Sequence, residues 1–408
     1  MFGHRWNCRL SQAAAGILCA GAITVAQGIP IAHAREAGMT GYWDPNQQTR
    51  YVFYVDWVGD LIALSQVNQG AGWVETDLAA ASPTQGGYVW EEDPFTSYDD
   101  GSNGHFFFRG PPDQYPYSLG ELVGSPPTPN GLNLIVSYGV TMQPHSSFFD
   151  GQSGHVFFEA ASSSGGSART LHEAYFTGAW YDNSALPQCS YSGGVSNETA
   201  YWDGVEHVVF NCTNDSDPSN PVVELWETYF DGSWWTHPIA TNASGGVAPV
   251  GKVAGGSLNG VEGIIGPGLA PNTIVYTQYA SGIWSSTSIP VPSVASDSQF
   301  LVYPDSSGLN FFFVGADFHV YTVIGPGSAN KVVDLTGPLG WNAGGYYNVY
   351  GNYWLSELTG YFDGVNDMVF FTGVDGNIWE LSDAPNDSNA SGWVYQAITS
   401  DGAAYYPY

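Results

Sequence analysis

Thr359-Gly360-Tyr361-Phe362-Asp363-Gly364-Val365-Asn366-Asp367-Met368-Val369-Phe370-Phe371 is the clearest copy of a phrase that this chain repeats. An aromatic pair leads into an Asp-Gly turn, and a short run of β-branched and aromatic residues follows. Tyr201-Trp202-Asp203-Gly204-Val205-Glu206-His207-Val208-Val209-Phe210 has the same form. Downstream stands a second strand, as in Gly376-Asn377-Ile378-Trp379-Glu380-Leu381, and then a Gly-x-Trp or Gly-Trp closing element. A unit of roughly 50 residues built only of strands and turns is the signature of a β-propeller blade. One blade cannot bury both of its faces, so it needs a neighbour on each side.

Aligned on the middle strand, the copies are anchored at Val52, Phe106, Val156, Val208, Ile264, Phe311 and Met368, with steps of 54, 50, 52, 56, 47 and 57 residues. No step is long enough to hide an eighth copy, so the expectation is an all-β, seven-bladed propeller. Six blades is the alternative if one of the degenerate fifth and sixth copies is discounted. No apolar periodicity of 3.6 residues extends over a helix length. Insertions at 111–117, 160–168 and 214–221 are rich in Pro, Gly, Ser or Asp and read as surface loops.

Residues 1–34 read as a secretory signal peptide. Arg5 and Arg9 form the basic region, Ala13 to Val25 the apolar one, and Ala32-His33-Ala34 the small-x-small cleavage site. Residues 35–408 then form a single propeller domain, secreted or periplasmic. No acidic residue precedes Arg35, so that domain carries 38 acids against the six remaining bases. Such a field repels phosphate backbones and anionic lipid surfaces, which argues against nucleic acid as a partner. No apolar run is long enough to predict a membrane span. Cys189 and Cys212 survive signal removal, and an even pair in an oxidising compartment predicts a disulfide worth about 3 kcal/mol. Asn-x-Ser/Thr sequons occur at Asn197, Asn211, Asn214, Asn242, Asn386 and Asn389.

His105, His155 and His207 share one place in the repeat, just before the apolar run of the middle strand. Three imidazoles from three blades could line the channel and hold a metal. Residues repeated in register more often serve the repeat, however, so the expectation is one structural hydrogen bond in each blade and no metal. Calcium is the weaker cofactor reading, because the Asp and Asn residues are scattered singly through turns rather than set in a D-x-D-x-D-G loop. No H-E-x-x-H, G-x-S-x-G or glycine-rich phosphate loop is present. The bases of the domain, Arg35, Arg50, Arg109, Arg169, Lys252 and Lys331, are too spread out for a clamp on an acidic sugar. No catalytic residue is assigned, although the many carboxylates leave an acid–base pair open.

The segment Leu225-Trp226-Glu227-Thr228-Tyr229-Phe230-Asp231-Gly232-Ser233-Trp234 aligns with Leu171-His172-Glu173-Ala174-Tyr175-Phe176-Thr177-Gly178-Ala179-Trp180. Both resemble the blade motif of the fucose-specific lectin family of β-propellers. The Leu-Thr-Gly-Tyr start at 358–361 and the His-Val-Phe-Phe strand at 155–158 resemble bacterial members of that superfamily. The resemblance implies a sugar held between blades, gripped by an Arg and a Glu of one blade and an aromatic residue of the next. A charged pair can fork onto vicinal hydroxyls, while the apolar sugar face packs on an indole.

Under that resemblance the Glu place is filled by Glu121, Glu173, Glu227 and Glu380, with Ala63, Thr277 and Thr322 in the other blades. The Arg place is filled once, by Arg109, so Arg109, Glu121 and Trp180 form the one full set. Glu173, Glu227, Trp234 and Glu380 are further sugar positions. The competing expectation is that Trp73, Trp180, Trp234, Trp284, Trp341 and Trp393 pack blade on blade. The sequence thus points to a secreted, non-catalytic glycan-binding propeller with fucose-type glycans as candidate ligands. A polysaccharide-active hydrolase and a protein-interaction scaffold are the alternatives.

Overall fold

The computed structural model describes residues 38–55, 60–67, 71–78, 94–109, 118–124, 133–137, 142–161, 169–183, 186, 195–214, 222–295, 298–325, 330–340, 345–347, 353–355, 357–383 and 392–399. The signal segment lies outside them. Seven four-stranded antiparallel sheets follow one another along the chain, each with its strands in sequence order. Blade 1 runs Met39–Asp44, Thr49–Val55, Leu61–Val67 and Val74–Asp77. Blade 2 is Thr96–Asp99, Gly104–Arg109, Ser118–Gly124 and Asn133–Ser137; blade 3 is Met142–Phe149, Gly154–Ala161, Arg169–Phe176 and Trp180–Asn183. Blade 4 is Val195–Trp202, Glu206–Asn214, Val222–Phe230 and Trp234–Thr241, and blade 5 is Ala254–Leu258, Val261–Pro267, Thr273–Ala280 and Ile283–Pro290. Phe300–Pro304, Leu309–Val314, Val320–Ile324 and Lys331–Asp334 make blade 6; Leu358–Phe362, Asp367–Thr372, Ile378–Asp383 and Trp393–Ala397 make blade 7. A separate hairpin, Gly345–Tyr347 with Tyr353–Leu355, stands between blades 6 and 7.

The Asp-Gly phrase builds the turn between first and second strands. Asp100, Asp150, Asp305 and Asp363 each cap their turn by accepting hydrogen bonds from the backbone N–H groups two and three residues on. Gly151 and Gly364 follow at φ 95° and 88°, where a side chain would be strained.

The second strand of each blade is buried on both sides, which is why its sequence runs apolar without alternation. Alternate residues face opposite neighbours: Phe107 packs toward blade 3, while Val156 of blade 3 packs back toward blade 2. Each of the seven interfaces holds its own apolar cluster among the described residues, including blade 7 against blade 1. The seven-blade count therefore holds and the six-blade alternative does not.

Two positions of the sequence alignment are shifted by one residue. Met368 faces blade 1, so the residue that packs back on blade 6 is Val369. In blade 5, Ile265 is the residue facing forward and Tyr276 is its partner. Tyr276, not Thr277, therefore occupies the Glu place. Aromatic–apolar runs carry no marker of phase, which is how both shifts arise.

The first strands of successive blades touch around the ring, and that of blade 7 touches that of blade 1. The closure carries polar contacts as well. Met39 N donates to Glu357 Oε2 at 2.7 Å, and Arg50 Nε donates to Asp363 Oδ2 at 2.8 Å. No helix among the described residues is long and apolar enough to cross a membrane.

Candidate functional site

The repeated histidines form the same contact three times. His105 Nδ1 lies 2.7 Å from Glu121 Oε1, His155 Nδ1 2.7 Å from Glu173 Oε1, and His207 Nδ1 2.7 Å from Glu227 Oε1. Each pair lies within one blade, so the same hydrogen bond repeats in three blades; His105 Nε2 and His207 Nε2 each add a second, to Asp100 at 3.2 Å and Asp203 at 3.1 Å. Antiparallel register sets the geometry. Glu121 sits opposite Phe107, and His105 stands two residues back on the same face. Burial alone would lower each imidazole pKa, but the facing carboxylates raise all three above the ordinary value.

The structure brings Glu121 and Trp180 together. Trp180 Nε1 donates to Glu121 Oε2 at 3.0 Å, and its ring meets Phe107 edge-on at 5.7 Å. Blades 7 and 1 repeat the device, with Trp73 Nε1 donating to Glu380 Oε2 at 3.0 Å and the ring edge-on to Phe370 at 5.8 Å. Trp393 stands edge-on to Phe312 at 5.6 Å, and Trp234 and Trp284 join the apolar clusters shared with the preceding blade. The tryptophans thus pack blade on blade; Trp341 lies outside the described residues.

Glu121, Glu173, Glu227 and Glu380 are all buried, and each is bonded within the protein. Glu173 also accepts from Asn183 Nδ2 at 3.0 Å, Glu227 faces His237 Nε2 at 3.3 Å, and Glu380 accepts from Gln396 Nε2 at 2.8 Å. Arg109 lies opposite Leu119, on the same strand face as His105 and Phe107 but beyond Phe107, and is half-buried.

Two carboxylates enter this constellation that the sequence reading missed. Glu206 opens the second strand of blade 4 and reaches back to blade 3, with Oε2 3.5 Å from His155 Nδ1. Glu262, second residue of that strand in blade 5, reaches back to blade 4 in the same way, 3.6 Å from His207 Nδ1. Burial, with Glu173 beside one and Glu227 beside the other, raises both pKa values above the carboxylate range. The signal was in the alignment, at the residue before each repeated His: Gly104, Gly154 and then Glu206. The glycines are dictated by space, because a Cβ on Gly154 would overlap the Tyr98 hydroxyl.

The outer strands expose aromatic rings that the sequence reading also passed over. Trp235, 54% exposed, pairs in register with Tyr229 and donates from Nε1 to Asp231 Oδ1 at 2.9 Å. Tyr181 occupies the same place in blade 3, 51% exposed and stacked on Tyr175 at 5.5 Å. His237 meets Tyr229 edge-on at 5.8 Å beside the blade 4 pair.

Cys212 is buried and disulfide-bonded; Cys189 lies outside the described residues. Among the sequons, Asn211 is buried and donates to the Gly251 carbonyl at 2.6 Å, which closes it to modification in the folded chain. Asn386 and Asn389 lie outside the described residues.

No protein-family model matches the chain, and no curated protein does. Solved structures do. A polysaccharide lyase, Uly1, is 10% identical with a TM-score of 0.52, over 83% of this chain and 86% of its own. A mutant of the Aleuria aurantia lectin in complex with α-methyl-L-fucoside is 12% identical with a TM-score of 0.46, over 93% of this chain and 98% of its own. An α-L-arabinanase of Penicillium chrysogenum complexed with arabinobiose is 11% identical with a TM-score of 0.48, over 75% and 93%. At 10% identity the likeness to the lyase is one of fold alone.

Proposed function

We propose that this chain is an exported carbohydrate-binding propeller, with fucose-type glycans as candidate ligands. One observation carries the reading: Trp235 is a solvent-facing indole whose N–H is already held by Asp231. A ring fixed in this way offers its face to the apolar side of a sugar. Asp231 and His237 supply polar groups nearby for hydroxyls, and Tyr181 over Tyr175 repeats the platform on blade 3. Fold likeness alone does not select a ligand.

The set that the family resemblance favours, Arg109 with Glu121 and Trp180, is proposed as a second locus between blades 2 and 3. Its half-buried member is Arg109; Glu121 and Trp180 already bond each other. A hydrolytic reading finds less support in the buried carboxylates between blades 3 and 4. Donor atoms of His155, Glu173 and Glu206 lie within 4.8 Å of one another in a buried cluster. A glycosidic bond needs its two carboxyls about 5–9 Å apart and open to substrate.

A glycan array with the purified chain tests the proposal, followed by calorimetry on the best ligand. Trp235→Ala should weaken binding roughly tenfold, about 1.4 kcal/mol. Loss in Arg109→Ala with Trp235→Ala unaffected would move the ligand to the blade 2–blade 3 cleft. An array without hits, or turnover of a polysaccharide panel, would overturn the proposal.

A further inference from the structure

The same small space recurs at four blade interfaces, and the sequence fills it differently each time. Its back wall is the Glu place of one blade, and its front is the first or second residue of the second strand of the next. Between blades 2 and 3 the front residue is Gly154, and Trp180 donates to Glu121. Between blades 7 and 1 the front residue is Arg50. Its Nη1 lies 3.8 Å from Glu380 Oε1, so a guanidinium supplies the positive charge. Between blades 4 and 5 the front residue is Glu262, and the Tyr201 hydroxyl donates to its Oε2 at 2.6 Å.

Between blades 3 and 4 none of these solutions is present. The front residue is Glu206, so two carboxylates, Glu173 and Glu206, face the single imidazole of His155. The residue that pairs with His155 on the first strand is Phe148, where the next interface has Tyr201 paired with His207. Both rings stack on their imidazole at 5.1 Å, so the geometry is conserved and only the hydroxyl is lost. Glu206 is 8% exposed, and its Oε2, aimed at His155 Nδ1, accepts no hydrogen bond. His155 Nε2, equally enclosed, has no hydrogen-bond partner either, and Asp150 Oδ2 stands 3.5 Å from it.

We propose that His155, Glu173 and Glu206 bind a divalent cation of the zinc class, which clamps blade 3 to blade 4. One imidazole nitrogen with two carboxylates suits a borderline first-row ion better than calcium, which takes six to eight oxygens. The donor atoms lie 2.7 Å (Nδ1 to Glu173 Oε1) and 3.5 Å (Nδ1 to Glu206 Oε2) apart. Tetrahedral bonds of 2.0–2.1 Å place ligand atoms about 3.3 Å apart. The ion would therefore replace the Nδ1 proton and widen the shorter contact slightly. Asp150 would orient the ring through Nε2, in the way outer carboxylates hold metal-bound histidines, and the fourth position would go to water.

The test uses the full exported chain, stripped with chelator and titrated with Zn2+ by calorimetry, with metal content read by mass spectrometry. One equivalent should bind, and the melting temperature should rise on reloading. Glu206→Gln should lower affinity at least tenfold. Phe148→Tyr, which restores the hydroxyl found at the next interface, should also weaken Zn2+ binding while leaving the stripped chain at least as stable as wild type. Glu262→Gln should leave binding unchanged. Absence of Zn2+ binding in the stripped chain, or binding that survives Glu206→Gln, would overturn the proposal; the latter places the ion elsewhere, for example at His145, Glu159 and Glu198, whose donor atoms also lie within 4.8 Å of one another.

Discussion

Arg50 shows how much one side chain can decide in a strongly acidic chain. It is 4% exposed, donates to Asp363 and to Gln66 Oε1 at 2.8 Å, and faces Glu380. Removing one partner of a buried pair leaves the other charged and desolvated, which costs about 3–5 kcal/mol. Arg50→Met should therefore lower stability by that order in urea titration, because methionine fills the volume but leaves Asp363 and Glu380 without the cation that faces both. Asp367 behaves in the opposite sense. Burial, then Asp305 and Asp383 nearby, push its pKa up to about 7. An acid whose folded pKa is raised favours folding while protonated; stability then falls as pH rises from the unfolded value near 4 to about 7. Asp367→Asn keeps an acceptor for the Asn310 amide and should raise stability at pH 7 and above. The ceiling of the gain is about 4 kcal/mol, and it should vanish below about pH 4. Thermal melts of both proteins across pH 3–8 check this; a gain independent of pH would refute it. Neither role was legible in the sequence, because a charge gains its meaning from the blade it faces, and that blade can lie 313 residues away.

At the level of the element, the blade was legible and its decoration was not. The Asp-Gly turn, the apolar second strand and the closing tryptophan are local signals, so they survive in one dimension. The register of His105 with Glu121 follows from the hairpin between them, and the structural reading of the histidines was accessible for that reason. Glu206 reaches back to the preceding blade and Tyr201 across to the next, and such pairings have no fixed spacing when inter-blade loops vary in length. Aromatic exposure was hidden for a related reason: Trp234 and Trp235 are adjacent, but alternation sends one into the interface and the other into solvent. The cysteine bond belongs to this scale as well. Cys212 lies in the apolar cluster between blades 3 and 4. If Cys189 is its partner, non-reducing peptide mapping should recover the two in one linked fragment, and reduction should lower stability by about 3 kcal/mol. Recovery of both as free thiols would reject the pairing.

For the whole molecule, every blade is one unbroken stretch of chain. Among the described residues, no strand from one end of the sequence completes a sheet begun at the other. The ring is closed without strand exchange, through Met39 N with Glu357, Arg50 with Asp363, Trp73 with Glu380 and an apolar cluster like the other six. In the language of graphs, contacts form a circle while the covalent bonds form a line, and the two differ at a single edge. That edge falls between blade 7 and blade 1. Joining blade 7 to blade 1 with a linker and cutting between any other two blades should give a circular permutant with the same propeller. The weakest joint would then travel with the cut: amide exchange should be fastest beside the new opening and slow at the old one.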